Sequence, residues 1–137
     1  MKFRYLFALS FLAIAACGST SETNVSQNDP RIATLLTWPL PQYYANLRIA
    51  KRITDQCARY SYDLRLDSDI AEKRNRNGIG SVAALGQRNA IDLETSVKRR
   101  SFEAIHNVDL NGSNLCAAGD AERARMTPLS VLLVPDR

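Results

Sequence analysis

Apolar residues recur every three or four positions from Tyr44 onward: Tyr44, Leu47, Ala50, Ile53, Cys57, Tyr60 and Leu64. That spacing is one face of an α-helix, and it predicts a helix from Gln42 to about Leu66. Lys51, Asp55, Arg59 and Asp63 stand four apart with alternating sign on the other face, and such pairs add about 0.3 kcal/mol each. Upstream, Asp29-Pro30 reads as a helix start: Asp caps free amides, and Pro is preset for the first turn. Ile32, Leu35, Leu36 and Trp38 follow. Pro39 and Pro41 then end that piece, because proline cannot continue the hydrogen-bond ladder. Trp38-Pro39-Leu40-Pro41 is thus expected to be a stiff elbow.

Downstream, Asp67 to Arg76 predicts a short helical piece, broken at Asn77-Gly78-Ile79-Gly80. Those two glycines lack the G-x-x-x-x-G-K of a phosphate cradle and read as a turn. Ser81 to about Val108 is helical with a flaw. Ala90, Leu93, Val97, Ala104 and Val108 share one face, while Ile91, Phe102 and Ile105 lie around from it. Both faces are then partly buried, or the helix breaks near Arg99-Arg100. Asn111-Gly112-Ser113 is a turn with Ser as the next cap, and Asn114 to about Met126 follows as an Ala-rich helix with Cys116 in its first turn. Leu129 to Val134 is an apolar tail that would be an aggregation hazard if exposed, so it is expected to fold back on the helices. No internal repeat is present, and strand-like alternation is absent outside the tail.

The first residues differ in kind from all of this. Lys2 and Arg4 precede an apolar run from Tyr5 to Ala16, interrupted only by Ser10. This is the layout of a secretory signal, too short for a spanning helix of about 20 residues. The run ends Ile14-Ala15-Ala16-Cys17-Gly18, which resembles the bacterial lipobox. In that motif small residues admit the peptidase and the thiol takes the lipid. Lipidation of Cys17 is therefore expected, with residues 1–16 as signal, 17–28 as lipidated cysteine and polar tether, and 29–137 as a helical domain. The tether GSTSETNVSQN, if flexible, spans about 18 Å. Asp after the cysteine retains enterobacterial lipoproteins in the inner membrane; Gly18 stands there instead, so the expected site is the outer membrane, facing the periplasm.

Cysteine arithmetic agrees. Of three cysteines, lipidation uses Cys17 and leaves Cys57 and Cys116 as an even pair in an oxidising compartment, where a disulfide is expected. Cleavage after Ala13-Ile14-Ala15 would instead export an odd thiol. The fold expected is all-α: about four helices tied by one disulfide.

Charge and chemistry narrow the function without naming it. Without Lys2 and Arg4 the chain holds 16 basic and 14 acidic residues. They are interspersed, so no nucleic-acid footprint is expected. C-x-x-C is missing, and two cysteines with one distant His fall short of a zinc site; neither cofactor nor metal is expected. His106 is the only histidine, so any Ser-His-Asp site must use it, with Ser113 and Asp109 near in sequence but no nucleophile-elbow motif around them. A pair of acids acting on glycosidic bonds cannot be chosen from sequence. The chain is expected to be no enzyme but an interaction module, held to the membrane by its lipid and meeting a protein partner in the envelope. Trp38, Tyr43 and Tyr44 at the elbow are the candidate contact, against the competing reading that they close the core. A small envelope enzyme such as a peptidoglycan hydrolase, and an inhibitor or immunity-type lipoprotein, are the alternatives.

The C-terminal half resembles a family of small exported alphaproteobacterial proteins of unknown function. The matching residues are Cys57, the charged helical span to about Phe102, Cys116-Ala117-Ala118-Gly119, and the apolar Leu129 to Leu133. The resemblance implies a helical, disulfide-linked fold and supplies no activity and no catalytic residue.

Overall fold

The structure is a computed structural model and describes residues 28–136; the expected signal, Cys17 and the tether up to Gln27 lie outside the described residues. Helix α1 runs Pro30–Thr37, and the Asp29 carboxylate accepts from the Arg31 backbone N–H at 2.8 Å as its cap. The Arg31 guanidinium returns to Asp29 at 2.6 Å, and this bonding holds the Asp29 carboxyl below the usual carboxylate range. The elbow is shorter than expected. Helix α2 spans Leu40–Asp55 with Pro41 in its first turn, where a proline's missing N–H costs nothing. Only Trp38 and Pro39 form the extended joint.

Helix α2 stops at Asp55, about eleven positions short of the predicted end. Residues 60–62 leave the helix because a longer-range partner claims them. Strand β1, Tyr60–Tyr62, pairs antiparallel with β2, Leu133–Pro135, in the register Tyr60↔Pro135, Ser61↔Val134, Tyr62↔Leu133. Two tyrosines suit a pleated, half-buried ribbon. The expected charge ladder therefore never forms. Arg59 reaches Asp120 at 2.8 Å, Lys51 lies 3.7 Å from Asp67, and Asp63 caps helix α3, Leu64–Arg76, by accepting from the Leu66 N–H at 2.9 Å.

The second long segment also divides differently. Gly78, at φ +73°, makes the turn after α3. Helix α4, Ser81–Leu85, ends at Gly86, and α5 then runs unbroken through Arg99 and Arg100 from Arg88 to His106. Asn107 closes α5 in the left-handed region that Asn tolerates. Helix α6, Cys116–Ala124, leads to a 3-10 turn over Pro128–Leu132 and into β2. Ser113 does not cap α6; the Asn114 side chain accepts from the Cys116 N–H instead, at 2.9 Å. Leu129, Val131, Leu132 and Leu133 are buried, so the apolar tail folds back as expected. It joins Ile32, Leu35, Leu47, Ile53, Ile70 and Leu115 in one core. The domain is all-α, with six helices and one two-stranded ribbon among the described residues, tied by the expected Cys57–Cys116 disulfide.

Gly119 lets α6 lie close against this core. A Cβ there would sit 2.9 Å from a Tyr60 ring carbon and 3.0 Å from an Ile53 methyl. Ala is the better helix former by about 1 kcal/mol, yet overpacking a rigid contact costs about 1–3 kcal/mol. Gly119→Ala is expected to lower the urea midpoint of unfolding. A raised midpoint would show that Tyr60 swings aside freely.

Candidate functional site

The elbow aromatics serve the interior. Tyr43 is 2% exposed and cannot meet a partner without the helices parting. Its ring lies 4.1 Å from the Arg74 guanidinium carbon, and its hydroxyl donates to Asp67 at 3.3 Å. Burial, then the Asp67 charge, raises that hydroxyl well above its ordinary pKa, so it remains a donor. Tyr44 meets Tyr43 edge-on at 5.3 Å, and both Tyr44 and Trp38 are half-buried against the core. Of the two readings of this elbow, the geometry supports core closure.

Arg74 is what organises it. This residue is 1% exposed and has no carboxylate partner among the described residues. It donates to the carbonyls of Leu35 at 2.6 Å, Leu36 at 3.1 Å and Trp38 at 2.9 Å. Those are orphan acceptors at the end of α1, where the helix dipole also favours a cation. Burial lowers the Arg74 pKa, partly opposed by Tyr43 and Tyr44; a guanidinium nonetheless stays charged in proteins.

His106 does meet an acid. Its Nε2 lies 2.7 Å from Glu122 Oε1, and the Thr127 hydroxyl donates to the other oxygen of Glu122 at 2.5 Å. Phe102 packs on the imidazole at 4.4 Å between ring centroids, and the His106 side chain is 5% exposed. The arrangement is unsuited to acyl transfer. The carboxylate holds the imidazole nitrogen that a nucleophile would use, and the hydroxyl contacts the acid rather than the base. Ser113 is elsewhere, its hydroxyl accepting from the Asp109 N–H at 3.1 Å. The cluster joins the end of α5 to α6 and the 3-10 turn. Glu122 escaped the sequence reading, although it follows Ala118 by four positions on the buried face of α6.

The Cys57–Cys116 bond spans Cα atoms 4.9 Å apart, with Cys57 buried. Beside it the Tyr60 hydroxyl donates to Asp120 at 2.5 Å, and this bond, ahead of Arg59, holds the Asp120 carboxyl low. No group of three or more His, Cys, Asp or Glu among the described residues is placed to hold a metal.

Among the described residues, most of the exposed large apolar side chains lie on the α4–α5 arm, with Leu64 and Met126 exposed elsewhere. Helix α5 buries Ile91 and Phe102 along α2, with Thr95 and Lys98 half-buried between them. Arg48 pins the pair by bonding Asp92 and Thr95 at 3.1 and 3.2 Å. The face expected to be core turns outward instead: Leu93 is 68% exposed and Val97 53%. Ala90 continues that stripe one turn before Leu93 and Ala104 two turns after Val97, and only Val108 of the set is half-buried. Val82 and Leu85 on α4 are likewise exposed, and Leu85 and Ala90 border an open groove of about 360 Å³ over Gly86–Asn89. Large side chains decided the outcome, since Ile91 and Phe102 bury more apolar area than the Ala-rich stripe. Comparison of the chain with known protein families, with curated proteins and with solved structures finds no match.

Proposed function

We propose that this chain is a bacterial envelope lipoprotein, anchored through Cys17 at the outer membrane and facing the periplasm, whose helical domain works by surface contact rather than catalysis. The observation that supports contact is the outward α4–α5 surface: Val82, Leu85, Leu93, Val97 and Ile105, most of the exposed large apolar side chains among the described residues, lie on these two helices. Contiguous exposed apolar surface marks an interaction site. The anchor rests on the lipobox and on the disulfide, which occupies both other cysteines. Residues 18–28 connect the anchor to α1 and reach at most about 38 Å when extended, so the domain stays close to the bilayer. Its use is to hold or position a partner there.

Cys17→Ser is expected to abolish incorporation of a palmitate analogue and to accumulate unprocessed precursor. Unchanged labelling would refute the anchor. Photocrosslinking from position 93 in intact cells addresses contact: adducts absent from position 61, on β1, support it, and no adduct at position 93 refutes it.

A further inference from the structure

We infer that the outward α4–α5 face docks on the anionic phospholipid surface of the bilayer that carries the anchor; this rests on the reading above, and it names the partner. Three features lead to a lipid surface. First, the apolar stripe points directly away from the face that packs on α2, so it can lie flat without disturbing the core. An interfacial helix is held this way, with its apolar face sunk to the level of the headgroups.

Second, the charge is one-sided. The outward arc of α5, carrying Ala90, Leu93, Val97, Arg100 and Ala104, holds no acidic residue. The chain has none at all between Glu72 and Asp92, a span that includes α4 and the start of α5. Arg100 is exposed on the stripe itself, whereas Arg88 is exposed in the groove that Leu85 and Ala90 border, on the arc of α5 that also carries Ile91; neither forms an ion pair among the described residues. Long arginine stems lie along apolar surface while their heads reach phosphate.

Third, the tether makes a small face sufficient. A domain held within about 38 Å of a bilayer meets it at high effective concentration, so a weak contact becomes occupied. No helix among the described residues is long and apolar enough to cross the membrane; the contact is interfacial.

The test uses the mature lipidated chain with Leu93→Cys, its only free thiol, carrying a polarity-sensitive fluorophore. The chain is reconstituted in vesicles of phosphatidylethanolamine with phosphatidylglycerol, or of phosphatidylcholine alone. A blue-shifted emission is expected with phosphatidylglycerol, weakened by high salt as a screened attraction must be. Arg100→Gln should lower the docked-to-free ratio about fivefold, the equivalent of roughly 1 kcal/mol per basic residue near an anionic leaflet. A label on Val97→Cys should report the same. Emission that stays at its aqueous value overturns the inference. So does an equal shift in phosphatidylcholine, or a shift that grows with protein density in both vesicles, which would assign the face to a second copy. Palmitate labelling scores the anchor separately. A chain that takes no lipid yet shifts on added anionic vesicles loses the anchor and keeps the docking face.

Discussion

A Cys57→Ala/Cys116→Ala chain is expected to unfold with about 4 kcal/mol less free energy than the parent. The bond closes a loop with a sequence separation of 59, and loop-closure entropy in the unfolded chain gives about 4 kcal/mol at that length. Domains of this size hold only about 5–15 kcal/mol in all, so the loss is a large share. It should appear as a fall of roughly 15 °C in melting temperature. The helical circular dichroism of the folded state should persist at low temperature, because the constraint acts chiefly on the unfolded ensemble. Reduction of the native chain should reproduce the shift. A double variant that melts with the parent would show that the core alone determines stability.

Arg74→Ala should cost about 3 kcal/mol, since a buried acceptor left without its donor costs about 1–3 kcal/mol. The three carbonyls it serves, on Leu35, Leu36 and Trp38, lose their donor inside the core, and Tyr43 loses the group stacked on it. Arg74→Lys keeps the charge but is a compact ammonium without the planar fork that spans three acceptors, so an intermediate loss is expected. Urea unfolding should show a lowered midpoint at nearly unchanged slope, since the surface exposed on unfolding is nearly the same. A loss below about 1 kcal/mol for Arg74→Ala would mean that water replaces the guanidinium at the end of α1.

These two residue sets differ in how they could have been found. Cys57 and Cys116 were legible because the expected lipidation of Cys17 leaves them as an even pair. Arg74 was not. It sits in a charged stretch with Glu72, Lys73 and Arg76, and only its fourth-position neighbour Ile70 shares the buried side of α3. A buried arginine is permitted only by acceptors, and these come from a helix about 38 positions earlier in the chain. The elbow is similar. Its aromatic and proline content suits an interface or a core end equally, and Arg74 settles Tyr43 in the core.

The sequence by itself determined what depends on short range or on counting: the Asp29-Pro30 start of α1, the break at Asn77–Gly80, the helical class, the pairing of two cysteines and the burial of the apolar tail. Local caps, glycines and periodic side chains act within a few residues, so they can be read in order along the chain. The tertiary structure decided what depends on competition between distant partners. Tyr60–Tyr62 had a helical spacing and became a strand because Leu133–Pro135 offered a ladder. On α5 two faces competed for α2, and Ile91 with Phe102 won although Thr95 and Lys98 interrupt their stripe. Periodicity counts apolar positions without weighing their size or the shape of the groove that receives them. The regular stripe of Leu93 and Val97 was therefore left on the outside.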